Sequence, residues 1–261
     1  MEANELARTL KSLHISSKPL ILANVWDLAS LNMAFAASLG IKDEELTMEQ
    51  NIDAIKNLAP VAALAGLPLS VDLQDGYGSR IREAVTKAVR AGAHGANLED
   101  SIPSRGLGQG IDKSLYPFNE QVRRIQLALQ AAAEAGLPDF VINARCDVFA
   151  LADDFSLENN MRMREGVKRG KAYLKAGATT VFFWRGYGPG FTEVEVQELV
   201  KELDGRVAIR LGQTEGALST SELGKIGVAR ISVGPSLFQI AMHAAKKSAC
   251  SVLEGGNLEE V

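Results

Sequence analysis

The stretch Val-Asp-Leu-Gln-Asp-Gly-Tyr-Gly-Ser (71–79) runs an alternating, buried-looking segment into Asp72, Gln74 and Asp75 and then breaks at Gly76. Comparable polar endings recur: Asn24-Val25-Trp26-Asp27, Glu99-Asp100, the trio Asn143, Arg145 and Asp147, Trp184-Arg185, and Arg210. Carboxylates gathered without His or Cys suit a hard cation such as Mg²⁺, which takes few direct ligands and keeps several waters. A cation beside an arginine suits an anionic substrate, a carboxylate or a phosphonate. One such acid alone reads more simply as a solvated loop residue or a helix N-cap, because acids favour helix starts. The repetition at one end of many segments is what argues for a site.

Those endings need strands to carry them. The periodicity predicts strands at 19–27, 67–74, 93–100, 139–150, 178–186, 206–212 and 228–234. Between them it predicts helices at 47–66, capped by Thr47, at 79–92, at 119–136 with an Asn119 cap, and at 160–177, 192–205, 219–227 and 235–253. Six helices close on a glycine just before the next strand, as repeated βα units do. Strict alternation without a Pro- or Ser-rich linker predicts one parallel α/β domain over 1–261. Seven strands are clear; an eighth in 28–46 would complete a (β/α)8 TIM-type barrel, and seven alone would make an open sheet or an incomplete barrel. In such a domain chemistry sits at the C-terminal strand ends, where the polar residues fall. Residues 101–118 form a long loop, and its Gly-Leu-Gly-Gln-Gly run (106–110) reads as a mobile lid or a plain surface loop.

Composition narrows the partners. The net charge of −4 with no basic tract argues against nucleic acid and anionic membrane. No apolar run approaches the ~18 residues of a spanning helix, and the N-terminus lacks the layout of a secretory signal, so cytosol is the expected compartment. Cys146 and Cys250 have no CxxC partner, and His14, His94 and His243 are scattered, so these five read as packing or surface residues. No GxGxxG, P-loop or Gly-x-Ser-x-Gly pattern is present. The expected ligand is a small anionic metabolite.

Taken in order, "NVWDLAS", "VDLQDGYGS", "GANLEDS", "INARCDVF" and "GVARISVGPSLF" resemble the isocitrate lyase/phosphoenolpyruvate mutase superfamily from about residue 19 to 245. The resemblance implies a (β/α)8 barrel and a Mg²⁺ cofactor, with Mn²⁺ as a substitute. It implies C–C or P–C bond cleavage or formation beside a 2-oxo acid through a metal-stabilised enolate. It also implies homotetramers in which the last helix packs on a neighbouring barrel. Asp72 falls where the family's direct metal ligand lies, Glu99 and Asp43 where acids reach the ion through water, and Arg145 where an arginine holds the substrate's anionic end. Gln74 stands where an acid is usual. Asp72, Glu99 and Arg145 are the catalytic candidates, and Trp26, Asp27, Tyr77, Asn143 and Arg185 the other substrate-binding candidates.

Three departures limit the implied activity. The 101–118 loop has neither the Lys-[Lys/Arg]-Cys-Gly-His motif of the lyases nor the Lys-Thr-Asn-Ser run of the mutases. The interval between strand one and the helix at 47 is short, so the second strand is missing or remodelled. Readings other than a lyase therefore stay open: a barrel kept for binding or assembly, or metal-independent chemistry on a larger metabolite.

Overall fold

The computed structural model describes residues 2–22, 41, 45–152, 159–186 and 190–258. All seven predicted strands form, β2 to β7 each shorter than its predicted run: β1 (Leu20–Leu22), β2 (Ser70–Asp72), β3 (Gly95–Glu99), β4 (Val141–Cys146), β5 (Thr180–Phe183), β6 (Val207–Arg210) and β7 (Arg230–Ser232). Every pairing is parallel, and the order β1-β7-β6-β5-β4-β3-β2 joins first strand to last around a curled sheet. This is the arrangement of a (β/α)8 barrel. The expected second strand falls between β1 and β2, and residues 23–40 and 42–44 lie outside the described residues.

Helices α1 (Ala3–Ser12), α2 (Met48–Leu64), α3 (Ile81–Ala91), α4 (Ile111–Ser114), α5 (Phe118–Glu134), α6 (Asn159–Lys175), α7 (Glu193–Glu202), α8 (Thr220–Ile226) and α9 (Ser236–Leu253) follow. Capping boxes start three of them: Thr47 with Gln50, Thr192 with Glu195, and Ser219 with Glu222. The expected Asn119 cap is corrected: α5 begins earlier, with Pro117 at the cap position, because proline's fixed φ already suits a helix entry. Gly92 and Gly227 close α3 and α8 in the left-handed conformation.

The core is one continuous apolar layer between the sheet and its helices, from Ile55 and Val85 through Ile125 and Phe183 to Leu199 and Ile231. Inside the barrel, α1 reaches the N-terminal end of the sheet. A Cβ on Gly95 would lie 3.0 Å from Leu10 Cδ2 and 2.8 Å from the Val141 carbonyl. His14 follows α1, and its Nδ1 lies 2.8 Å from the Leu10 carbonyl, so Nδ1 carries the hydrogen and Nε2 is an acceptor. α9 differs from the other long helices. Only Ser236 in it is buried, while Ile240 and Leu253 are 64% and 86% exposed.

Burial, then the nearby Arg230 charge, lowers the His14 pKa from 6.5 to about 4. A depressed histidine pKa gives stability that is complete above the unfolded value and lost as pH falls towards the folded one. Urea denaturation should therefore show the wild type losing about 2 kcal/mol relative to His14→Leu between pH 8 and pH 5. Parallel pH profiles for the two proteins would show that His14 is not held neutral.

Candidate active site at the barrel mouth

The segment after β2 is built from two consecutive side-chain turns. Asp72 Oδ1 accepts the Gln74 N–H at 2.9 Å, and Asp75 accepts the N–H groups of Tyr77 and Gly78 at 2.8 and 3.1 Å. Gln74, Gly76, Tyr77 and Gly78 all take positive φ (52°, 83°, 58° and 65°), and the two non-glycines hold a conformation that costs energy. Gly76 cannot be replaced cheaply: an added Cβ would meet Ile81 Cγ1 at 2.8 Å and Leu98 Cδ1 at 3.1 Å. Asn51, fully buried on α2, donates to the Asp72 carbonyl at 2.9 Å and to the Tyr77 hydroxyl at 2.7 Å. This end of β2 is thus set by side chains, not by sheet pairing alone.

Glu99 and Arg145 face each other directly in the β3–β4 register. Arg145 Nη1 lies 2.6 Å from Glu99 Oε2, and Arg145 Nε donates to Asp147 Oδ1 at 2.7 Å. Trp184, just past β5, stacks its ring 4.7 Å from that guanidinium and gives its indole N–H to Asp147. Ser101 donates to Glu99 Oε1 at 3.1 Å. Burial pushes Glu99 up to about 8; Arg145 opposes this, while Asp147 and Asp72 reinforce it. Asp147 is fully buried, and its Oδ2 has no hydrogen-bond partner among the described residues.

The structure brings Asp72, Glu99 and Arg145 within electrostatic reach of one another. Asn143 lies deeper, fully buried inside the barrel, bonded to Asn97 and Thr180. Tyr77 turns its hydroxyl towards α2. Arg185 pairs with Glu195 on α7 at 2.7 Å and lies over the Phe191 ring. Gln74 is buried at the turn. Trp26, Asp27 and Asp43 lie outside the described residues.

Two acids at the strand ends prove to be struts. Asp75 also accepts the Tyr116 hydroxyl at 2.7 Å, and Arg124 clamps the same turn through the carbonyls of Asp75 and Gly78. Asp100, fully buried, accepts the Asp147 N–H, Arg169 and the Tyr173 hydroxyl. Asp72 and Glu99 face inward; alternation turns Asp100 away from the axis, and Asp75 lies in the turn beyond β2. Trp184, read among the strand endings, joins the site, while Asn97, Thr180 and Arg230 also belong to the interior and escaped a reading centred on strand ends. Their signal was inward parity with a neighbouring polar residue, as in Asn97 before Glu99 and Arg230 before Ser232. Among the described residues, no three His, Cys, Asp or Glu side chains gather as a metal cluster.

The loop after β3 is folded back on itself. Ser101 bridges Leu115, Ile102 N–H donates to the Ser114 carbonyl, and Ala152 N–H donates to the Leu107 carbonyl. Tyr116 closes it: its N–H donates to the Asp100 carbonyl at 2.8 Å, and its hydroxyl reaches Asp75.

The family model described as phosphoenolpyruvate phosphomutase matches residues 10–253. The chain belongs to that family. Within the phosphoenolpyruvate phosphomutase family and its relatives, a 2-methylisocitrate lyase of Escherichia coli (strain K12) is 31% identical over 150 residues, 56% of this chain. That match spans 46% of the enzyme, less than half its length. The 2-methylisocitrate lyase of Shewanella oneidensis is 26% identical over 86% of this chain and 72% of its own. A solved structure from Burkholderia cenocepacia J2315, provisionally assigned as a phosphonomutase, is 31% identical with a TM-score of 0.81, covering 98% of this chain and 100% of that one. An oxaloacetate acetylhydrolase with its product oxalate has a TM-score of 0.80 over 98% of this chain and 89% of that one; at 20% identity it supports the fold alone. No described helix is long and apolar enough to cross a membrane.

Burial and the Asp75 charge raise the Tyr116 hydroxyl's pKa, so it remains a donor. Tyr116→Phe should cost roughly 1–3 kcal/mol, as for loss of a bond to a charged acceptor. Hydrogen exchange across 101–117 should rise more than across β3 and β4. Unchanged exchange in that loop would show that the Tyr116–Asp75 contact does not hold it.

Proposed function

We propose that this chain is a lyase-type enzyme that breaks or forms the bond beside a small 2-oxo acid or dicarboxylate, using a divalent ion at Asp72. The observation that carries the reading is the inward-facing set of Asp72, Glu99 and Arg145 at one end of a barrel of the phosphoenolpyruvate phosphomutase family. The residues fit Mg²⁺, with Mn²⁺ as a substitute. All the donors are hard oxygens, and Asp147 Oδ2 is a buried carboxylate oxygen without a hydrogen-bond partner among the described residues. Asp72 would hold the ion directly and Glu99 through water, with Gln74 beside them; Asp43 is a further candidate. The ion, when bound, supplies Lewis-acid stabilisation of the charge that develops on the oxo acid.

This chain's own residues do the rest. Arg145 binds the substrate's anionic end. Its guanidinium is held in plane by Glu99, Asp147 and the Trp184 face, so little entropy is lost on binding. The indole and the 101–118 loop limit water at the reacting carbon. Ser101 holds its hydroxyl hydrogen on Glu99 Oε1 and thereby orients that carboxyl.

A second reading, a barrel kept for binding, is favoured by the absence of a three-acid cluster among the described residues and by Gln74 in place of an acid. Calorimetry with Mg²⁺ and oxalate separates the two. The wild type should bind the pair, and Asp72→Ala and Arg145→Ala should each weaken binding by roughly 100-fold, the loss of a charge-assisted contact. Folded wild type that takes up neither ligand would sink the enzyme reading.

The exposed apolar residues of α9 also suit a second copy of the chain, and we propose the homotetramer that the family resemblance implies. Light scattering should report a tetramer, and the pair Ile240→Asp with Leu253→Asp should shift it to smaller species. A wild-type monomer at micromolar concentration would refute the assembly and leave the site untouched.

A further inference from the structure

A polar belt crosses the barrel interior. Parallel register lines up Asp72 with Asn97, Asn97 with Asn143, and Asn143 with Thr180. Thr180 Oγ1 donates to Asn143 Oδ1 at 2.7 Å, and Asn143 Nδ2 donates to Asn97 Oδ1 at 2.9 Å. The same Asn97 oxygen accepts Arg230 Nη2 from the far side of the barrel at 3.1 Å. Donors from both sides therefore converge on the Asn97 oxygen, and one of them is a guanidinium, which can only donate.

Arg230 is 3% exposed, and its Nε and Nη1 have no hydrogen-bond partner among the described residues. Neutral groups surround most of it: Asn97 on one side and His14 towards the barrel floor. The carboxylate within electrostatic reach is Asp72. Burial, offset by Asp72, lowers Arg230 only to about 9, so it keeps its charge near neutral pH. Interiors of such barrels are filled by branched apolar side chains. A buried, half-bonded guanidinium costs stability relative to an apolar residue of similar length. Packing does not require this residue.

We propose that Arg230 is a positioning residue: a fixed positive charge beneath Asp72 that makes cation uptake at the mouth conditional on an anionic ligand. The inference rests on the divalent-ion reading of Asp72. Among the described residues, the carboxylates of Asp72, Glu99 and Asp147 face the guanidinium groups of Arg145 and Arg230. Glu99 and Asp147 are already committed to Arg145. Asp72 is thus partly neutralised from below, and Gln74 adds no charge. Among these described groups, two guanidinium charges and a dication outweigh three carboxylates; a small dianion, a dicarboxylate being the class, offsets that excess. Each ligand then raises the affinity for the other by the same factor.

The test measures free Mn²⁺ by electron paramagnetic resonance with the full chain, with and without oxalate. In the wild type, oxalate should tighten Mn²⁺ binding by about 10-fold or more, and Mn²⁺ should tighten oxalate binding equally. Arg230→Gln keeps a donor for Asn97 and removes the charge. It should bind Mn²⁺ alone several-fold more tightly and lose most of the coupling. Arg230→Lys should restore the wild-type pattern, which a purely structural role for the guanidinium would not predict. Independent binding of the two ligands in the wild type overturns the proposal, as does unchanged Mn²⁺ affinity in a folded Arg230→Gln. Those results leave the metal reading standing. Wild type that binds no Mn²⁺ even with oxalate overturns both.

Discussion

The ion triad of Glu99, Arg145 and Asp147 is the constraint to which the barrel mouth is referenced. It links β3, β4 and the turn after β4, and through Trp184 it reaches the end of β5. Because Glu99 and Arg145 face each other in register, the pair forms without any loop adjusting. Arg145 is only 18% exposed, so the charges are mostly removed from water. Desolvation of such groups offsets much of their attraction, yet removing one partner leaves a buried charge unpaired. The triad is therefore better explained by what it positions than by what it stabilises.

The fold was legible because its signals are local. Glycines closing helices, the Thr47 cap and apolar runs recur in a strict order, and each was read without knowing its neighbours. Strand length was not legible. The run at 139–150 yields only Val141–Cys146 as strand, because Asp147–Phe149 turns into a single 3₁₀ turn under the Asp100 carboxylate. A side chain from another strand decides that boundary, and periodicity along one segment cannot contain it. The Asn119 cap failed in the same way: the residue type was right for a cap, but Pro117 had already set the helix entry two residues earlier.

The candidate site was half legible for a physical reason. Asp72, Glu99 and Arg145 stand out because charge at the end of an apolar run is unusual. Asp75 and Asp100 stand out equally, and their separate fate follows from position: Asp100, one residue past Glu99, faces away from the barrel axis, and Asp75 lies in the turn beyond β2. There they take backbone N–H groups, tyrosine hydroxyls and arginines, and become the struts that hold the inward acids still. Arg230 and Asn97 were hidden because they sit within strands, where polar residues are ordinarily explained by the solvent face of a sheet. The inner side of a barrel of this kind is not a solvent face, so inward polarity there is met by other inward polarity. The belt does this for Thr180, Asn143 and Asn97, and leaves Arg230 Nε and Nη1 without hydrogen-bond partners among the described residues.

The absence of a three-acid cluster among the described residues and the divalent-ion reading do not conflict. One oxygen of Asp72 is already engaged by the Gln74 N–H, which helps hold Gln74 in its left-handed conformation. The side chain is thereby fixed in direction before any ligand arrives, and only part of it can face an ion. Mg²⁺ sheds its waters reluctantly and is commonly held by one or two carboxylates plus the substrate's own oxygens. Three converging acids would instead form a tight permanent cage and leave fewer positions for a substrate. On the proposed reading, a single well-oriented carboxylate, Glu99 acting through water and a guanidinium nearby would make a weaker seat. There the substrate's own oxygens would add to the ion's ligands, and its charge would stand in for the carboxylate that Gln74 lacks.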